Sequence, residues 1–242
     1  MHLFFSTPIW ATKIEGYEKI NDEMLTYIFN LQKKDPTGVL KSNFKGWHSS
    51  DFNMKDPSPI NFIAAIKNNL NTLISDMNWD LKIQSVKISS MWAIINEKGA
   101  WNQKHQHSNS DISAAYYVTA HEGCGDIVFY DPRPAPVYSH PNVVNPNLLN
   151  AQVNSISPKE GALVLFPSYV DHSVNENLSI ETDLDESNMQ MKIYTISGKL
   201  LQTDTFFSGS NQVDISSLAS GIYVINVISG NKFLHTEQFI KQ

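Results

Sequence analysis

The spacing of apolar residues predicts two amphipathic helices near the N-terminus. Apolar side chains recur at helical spacing through residues 19–33 and, more clearly, through residues 60–77. The connection between them is rich in Pro, Gly, Ser and Asn, which predicts a long loop with one short strand. Within this loop we expect Trp47 and Phe52 to reach the core. His48 either approaches a site or, as is more common for an isolated loop histidine, lies at the surface.

From residue 81 the apolar pattern changes to period two or to short runs, which predicts antiparallel β structure. The stretches LKIQSVKISSMWAII, DISAAYYVTA, GDIVFYD and GALVLFPSYV are rich in β-branched and aromatic residues. Residues 132–160 are Pro-rich and aperiodic, and they predict a long surface loop of the kind that covers binding sites. The strands after residue 178 predict a separate small β-sandwich. We therefore expect a mainly β protein with domains at 1–178 and 179–242.

The composition of the chain argues against several classes of partner and bears on its location. The formal net charge of −6 and the absence of a Lys/Arg cluster beyond Lys33 and Lys34 argue against binding to nucleic acid or anionic lipid. No apolar run is long enough for a membrane span. The single cysteine, Cys124, excludes an internal disulfide. The opening MHLFFSTPIW lacks a basic region, so the sequence as it stands predicts a cytoplasmic protein, or a secreted or cell-surface one if a signal lies upstream.

The stretch KHQHSNSDISAAYYV contains a candidate metal site. On an extended strand His105 and His107 point to the same face, where they can clamp one ion. An ion that activates oxygen or water needs a third ligand and open positions, and His172 at the end of GALVLFPSYVDH is the best candidate. The alternative is a chance pair on a solvated strand. The isolated histidines His121, His140 and His235 are expected at the surface.

Three segments together resemble a family of Fe(II)- and 2-oxoglutarate-dependent oxygenases. They are MWAIINEKGAWNQKHQHSNSDISAAYYV, GCGDIVFYDPRP and SPKEGALVLFPSYVDHSV. The matching positions are Trp92, Asn96, Gly99, Asn102, His105, His107, Ser113, Tyr116, Tyr117, Asp131, Pro132, Arg133, Gly161, Phe166, Pro167, Ser168 and His172. FFSTPIW and GWHSSDF are also similar to the family's opening segments, so the resemblance covers about residues 1–178.

The resemblance implies a double-stranded β-helix, a jelly-roll that holds iron at one open end. It implies His105, His107 and His172 as Fe(II) ligands, with Asp111 as the substitute carboxylate if His107 is not a ligand. The cosubstrate would be 2-oxoglutarate, which loses CO₂ while O₂ is split and a C–H bond of an unknown substrate is hydroxylated. The residues implied around the cosubstrate are Tyr117, Asn102 and Arg133.

One family feature is missing after His172. An arginine about ten residues further on usually clamps the far carboxylate of 2-oxoglutarate, whereas this chain has Thr182 there and no basic residue before Lys192. Losing such a pair costs on the order of 2–5 kcal/mol, or roughly 30- to several-thousand-fold in binding. Arg133, the only arginine, and Lys192 are the candidates to replace it. The alternative function is a non-catalytic metal- or ligand-binding module.

The C-terminal quarter resembles the sorting domain of the type IX secretion system of Bacteroidota. The resemblance rests on IYTISGK, DISSLASGIY and the terminal KQ, and it covers about residues 179–242. It implies secretion machinery as a partner, and it gives a second alternative function, that of cell-surface or secreted cargo carrying a sorting domain. The Tyr-Pro-Asn-Pro opening strand of such domains is absent, so SIETD is a candidate substitute strand for either half. An unpaired edge at this junction would favour self-association.

Overall fold

A computed structural model describes the backbone of most of the chain. The described residues are 2, 5–97, 99–121, 124–133, 147–175, 177–182, 189–206, 209–215, 218–219, 221–230 and 232–241. The chain divides into two compact units, residues 1–174 and residues 175–242.

The two predicted helices are present in the first unit. They are α1 (Tyr17–Lys34) and α2 (Pro57–Asp76). Proline in the first turn of α2 suits its start, because that position needs no backbone N–H and its φ is already fixed near the helical value. The apolar stripes face inward, with Met24 and Ile28 of α1 and Ile66 and Leu73 of α2 buried. Within the described residues no helix combines the length and apolarity that crossing a membrane requires.

The remainder of the first unit is antiparallel β structure. Its strands are β1 (Trp10–Lys13), β2 (Asn43–Phe44), β3 (Trp47–His48), β4 (Ile94–Ile95), β5 (Trp101–His105), β6 (Ile112–Tyr116), β7 (Ile127–Tyr130), β8 (Val153–Ile156), β9 (Ala162–Pro167) and β10 (His172–Val174). They form a small sheet in the order β1-β9-β6, a large sheet in the order β2-β5-β10-β7-β8, and the ribbon β3-β4. This is the mainly β, double-stranded β-helix architecture that the sequence predicted.

Strand β9 sits in the middle of the unit and explains the uninterrupted apolar run ALVLFP. On one face, Leu163 and Leu165 join the core cluster of the two helices. On the other face, Val164 and Phe166 pack against Phe129 and the other apolar residues of the large sheet. Both faces of the strand are therefore buried, which is why its sequence does not alternate between apolar and polar residues.

Two expectations for the middle of the chain are corrected. Of the strand predicted from residue 81, only Ile94–Ile95 is assigned, and residues 84–93 have no regular structure. Ile83 and Val86 in this stretch are exposed, whereas Ile88 and Met91 pack against the core without forming a strand. The Pro-rich stretch 132–160 contains β8, which pairs with β7. Residues 134–146 of that stretch, including His140, lie outside the described residues.

The second unit is a small β-sandwich. Its strands are β11 (Asn177–Thr182), β12 (Met189–Thr195), β13 (Leu200–Phe206), β14 (Gly209–Asp214), β15 (Gly221–Ser229) and β16 (Lys232–Lys241). One sheet has the order β13-β12-β15-β16 and the other is the pair β11-β14. Alternate residues of β12 and β15, including Met191, Ile193, Ile225 and Val227, form a core with Val213 of β14.

The junction strand belongs to the second unit. SIETD, the candidate substitute strand, falls in β11, which pairs with β14 from Asn177 opposite Asp214 to Thr182 opposite Gly209. The first unit has no strand after β10 within residues 1–174. The stretch where an oxygenase would place its arginine therefore completes the sandwich. The expected self-association at this junction stays a prediction.

Candidate metal centre

Three histidines lie close together at the adjacent ends of β5 and β10, two neighbouring strands of the large sheet. His105 is the last residue of β5, His172 is the first residue of β10, and the two are cross-strand partners. His107 follows two residues after β5, in the loop that leads to β6. One ring nitrogen from each of the three lies within 4.8 Å of the others. Three nitrogen donors at this separation can hold one transition-metal ion and leave further coordination positions open.

Hydrogen bonds fix the tautomers of two of these rings. Nδ1 of His105 donates to the carbonyl of Gln103 at 2.7 Å, and Nδ1 of His172 donates to the carbonyl of Val170 at 3.0 Å. A carbonyl oxygen can only accept, so Nδ1 carries a proton in each ring, and Nε2 is the nitrogen that remains for a metal ion. This is the arrangement that orients a metal-binding histidine through its other nitrogen.

The turn after β9 holds the loop of the third histidine. The backbone N–H of His107 donates to the carbonyl of Ser168 at 3.1 Å, and the N–H of Ser168 donates to the carbonyl of Asp111 at 3.0 Å. The Ser168 side chain is fully buried, and its hydroxyl pairs with that of Ser113 at 2.7 Å. Because Val170 in the same turn binds the ring of His172, this turn supports two of the three histidines.

The environment of His107 and His172 favours the neutral form of these two rings. Burial, followed by the nearby His105 and His107, lowers the pKa of His172 to about 4, although its bond to Val170 acts in the opposite direction. Burial and then His105 also lower the pKa of His107. A neutral imidazole can bind a metal ion without first losing a proton. His107 and His172 are therefore suited to coordinate at neutral pH.

Asp111, the alternative ligand, is exposed and lies outside the group of three ring nitrogens. Its backbone carbonyl accepts the hydrogen bond from Ser168 instead. A carboxylate ligand is thus absent from this group in the described part of the chain.

A bulge in β5 turns Asn102 toward the same side as His105. The register steps from His172 opposite His105 to Val174 opposite Asn102, so three residues of β5 span two of β10. Asn102 is buried. Its amide nitrogen donates to the hydroxyl of Ser42 at 3.3 Å. Its amide oxygen accepts from the amide nitrogen of Asn96 at 2.9 Å. The amide is thus already paired within the protein.

The other two residues implied around the cosubstrate are placed differently. Tyr117 packs between the sheets, in the cluster that contains Phe166. The ring centroid of Phe166 lies 4.6 Å from that of His172. Burial raises the pKa of Tyr117. Arg133 is exposed and forms a two-pronged ion pair with Asp131, at 2.9 Å from Nε and 2.7 Å from Nη2. Its guanidinium is therefore committed to a neighbouring carboxylate.

The expectation of a surface position for His48 is wrong. Only 6% of the residue is exposed, and its ring stacks on that of Trp92 with 5.8 Å between centroids and 13° between planes. Trp92 in turn lies 5.5 Å from the ring of His107. The short ribbon β3-β4 buries Trp47, as expected, and also His48, whose burial a Gly/Ser-rich loop composition does not reveal. The isolated histidines His121 and His235 are exposed, as expected.

Two family models match successive parts of the chain. Residues 90–183 match the family described as "Putative 2OG-Fe(II) oxygenase". Residues 173–242 match the family described as "Secretion system C-terminal sorting domain". Both matches include residues 173–183, and the structure assigns the strand in this overlap, β11, to the second unit.

Among solved structures, a prolyl-4-hydroxylase from Pseudomonas putida is similar at 12% sequence identity, over 70% of this chain and 85% of that chain, with a TM-score of 0.49. No curated protein sequence matches. The chain thus joins a segment that matches an oxygenase family to a segment that matches a secretion sorting domain.

Proposed function

We propose that the first unit is an Fe(II)- and 2-oxoglutarate-dependent oxygenase whose metal ligands are His105, His107 and His172. The observation that carries this proposal is the convergence of the three ring nitrogens within 4.8 Å, inside the segment that matches the oxygenase family. The domain that performs the reaction would be residues 1–174, four residues shorter than the boundary expected at 178, because β11 pairs within the second unit.

The donor set fits a divalent transition metal. The Nδ1 atoms of His105 and His172 are taken up by their carbonyl partners, which leaves Nε2 of each ring for the metal, and burial lowers the pKa of His107, which favours its neutral form. Imidazole suits Fe(II), and three protein ligands leave room for a cosubstrate and O₂. When bound, Fe(II) with 2-oxoglutarate would supply the oxidising chemistry, while the chain orients the ligands and encloses one side of the site with Phe129 and Phe166.

Binding of 2-oxoglutarate has to differ from the family pattern. Thr182 occupies the expected position of the arginine, and its strand pairs with β14 in the second unit. Arg133 is paired with Asp131, and Lys192 lies on β12. We therefore expect the keto-acid end of the cosubstrate to bind through chelation of the metal, with a weak contribution from its far carboxylate.

The test is turnover of 2-oxoglutarate by the full chain with Fe(II), ascorbate and O₂. The expected result is succinate and CO₂ in a slow reaction that needs Fe(II) and disappears in His172→Ala. The matched control is His121→Ala, which removes an exposed histidine away from the cluster. Succinate formation that survives in His172→Ala would overturn the ligand assignment.

A non-catalytic metal-binding module is the second candidate for the same unit. The missing arginine favours it, because a site without that clamp can keep its metal after losing its cosubstrate. It predicts stoichiometric metal binding that needs His172, with no succinate formed at any concentration of 2-oxoglutarate. The turnover assay and a metal titration together separate the two candidates.

For the second unit we propose a sorting function, with type IX secretion machinery as the partner. The match over residues 173–242 supports it, together with a β-sandwich that has a core of its own. Given an N-terminal export signal in a bacterium with this system, the full chain is expected at the cell surface or in the medium. A chain ending at Val174 is expected to stay in the periplasm, and equal release of both chains would refute the proposal.

A further inference from the structure

We propose that His48 is a substrate-binding residue that accepts a hydrogen bond, through Nε2, from an N–H or O–H group of the molecule bound beside the three histidines. The inference rests on the proposed function, because it assigns a residue for substrate at the same centre. It commits to a ligand that presents a neutral donor, such as an amide or a hydroxyl.

The position of His48 places it beside the site. Its ring stacks on Trp92, and Trp92 contacts His107, so the three rings form a continuous wall. The opposite flank of the centre is closed, because Phe129 and Phe166 lie against His172 and are buried. Trp92 remains partly exposed, so a ligand approaches on the side of this wall.

The backbone around His48 is held firmly. Its carbonyl accepts from the N–H of Val39 at 2.8 Å. The next residue, Ser49, donates its N–H to the carbonyl of Ala93 at 2.9 Å, and its hydroxyl accepts from the N–H of Ala93 at 2.9 Å. A binding group held in this way loses little conformational freedom when a ligand arrives.

The ring has a defined tautomer. Nδ1 of His48 lies 2.6 Å from the carbonyl of Ser49, which can only accept, so Nδ1 carries the proton. Burial lowers the pKa of His48, which keeps the ring neutral despite the bond to Ser49. In a neutral ring protonated at Nδ1, Nε2 is an acceptor. It suits a donor from the ligand and does not suit a carboxylate.

Nε2 of His48 is available for that role. Among the described residues it has no hydrogen-bonding partner, since the ring's hydrogen bond is the one to Ser49. The side-chain atoms that are both sealed from solvent and without a partner are the indole nitrogen of Trp101 and the amide oxygen of Asn175. Nε2 of His48 is not among them, so this buried residue keeps one acceptor in contact with solvent.

Two other roles fit less well. A fourth metal ligand would belong to the group of nitrogens within 4.8 Å, and His48 does not. A purely structural role would leave Nε2 to water alone, whereas the stacking of this ring on Trp92, which contacts His107, gives the open acceptor a place beside the metal-binding cluster. One pinned nitrogen and one open nitrogen beside a metal-binding cluster are what a ligand contact requires.

The experiment uses the full chain, labelled with ¹⁵N-histidine and loaded with Zn²⁺, which is diamagnetic and accepts three imidazoles. Two-bond ¹H–¹⁵N spectra resolve each ring nitrogen, and the signal missing from His48→Gln assigns His48. Acetamide and acetate are the probes, because they have similar size while only acetamide donates N–H. Exposed His121 reports nonspecific effects.

The expected result is a saturable shift of the Nε2 resonance of His48 with acetamide, without one from acetate and without an equal shift at His121. A response to acetate, or no selective response to acetamide, would overturn the proposal. If His48→Gln folds poorly, the wild-type chain alone is sufficient for the test. In its spectra, His48 is identified as the ring that is protonated at Nδ1 and whose signals do not shift when Zn²⁺ binds. Failure of Zn²⁺ to shift His105, His107 and His172 would refute the proposed function separately, since the probe titration can be repeated without metal.

Discussion

At the residue scale, the chemistry of the centre follows from which nitrogen of each ring is already used. Backbone carbonyls accept hydrogen bonds from Nδ1 of His105 and of His172. Each ring therefore presents Nε2 to a metal ion. His107 has its backbone held by Ser168. Three neutral donors leave the charge of a divalent ion uncompensated, which favours an anionic chelating ligand such as a keto acid.

The choice between His107 and Asp111 as ligand gives a direct prediction. His107→Ala should reduce Co²⁺ affinity at least about 10- to 100-fold, because one of three donors is lost. Asp111→Asn should leave that affinity unchanged, because the carboxylate lies outside the nitrogen group. Visible absorption of Co²⁺ under titration measures both. The reverse order of effects would make Asp111 the ligand.

The lowered pKa of His172 predicts a pH-dependent stability of the metal-free chain. The folded pKa is about 4, below the value near 6.5 in an unfolded chain, so the unfolded state binds more protons between these two values. Stability from this group is therefore present above pH 6.5 and falls as the pH drops toward 4, by up to about 1.4 kcal/mol per pH unit.

Denaturant unfolding in the presence of a chelator measures this effect. His172→Asn should flatten the pH dependence in that window, whereas His121→Asn, at an exposed position, should leave it as in the wild type. An unchanged slope in His172→Asn would show that the ring is not buried in its neutral form.

At the element scale, the turn after β9 links the apolar middle of the unit to the metal centre. Ser168→Ala leaves the hydroxyl of Ser113 without its partner, at a cost of about 1–3 kcal/mol. The backbone of Ser168 holds the loop of His107, and the lost hydroxyl pair is what positions this turn. We therefore expect Co²⁺ affinity to fall several-fold and its absorption spectrum to change. Replacing both serines with alanine should recover much of the stability.

The control for this prediction is Tyr116→Phe in the same sheet. It removes a hydroxyl that donates to Asn21 at 2.7 Å, away from the three histidines. Stability should fall by a similar amount while the Co²⁺ spectrum stays the same. If Ser168→Ala and Tyr116→Phe changed the Co²⁺ spectrum equally, the turn after β9 would contribute to stability but would not position the metal ligands.

Much of this architecture could be predicted where one face of an element is buried. Both helices and the strands β6, β7 and β9 follow from apolar spacing. The segment from residue 81 could not be predicted, because alternation describes the side chains of a strand but does not supply a pairing partner. His48 was missed because its burial depends on Trp92, forty-four residues away in the sequence, through the ribbon β3-β4.

At the scale of the whole molecule, two units with separate cores predict two unfolding events. The helices and β9 form the core of residues 1–174, and β12, β14 and β15 form that of residues 175–242. A metal at 100 times its dissociation constant stabilises its own unit by about 2.7 kcal/mol, or about 5–10 °C.

Calorimetry of the full chain should therefore show that Zn²⁺ raises one transition and leaves the other in place. A chelator should reverse the shift, and His172→Ala should abolish it. A metal-induced rise of both transitions, or one that persists in His172→Ala, would contradict the assignment of the metal to the first unit.

The central claim is that the three histidines form an oxygenase site that still binds its cosubstrate. Its most direct test is an anaerobic titration of the purified chain with Fe(II) and 2-oxoglutarate, followed by visible absorption. A charge-transfer band that needs both components and disappears in His172→Ala is the predicted result. Stoichiometric Fe(II) binding without the band at any concentration of 2-oxoglutarate would contradict the claim and leave a metal-binding module.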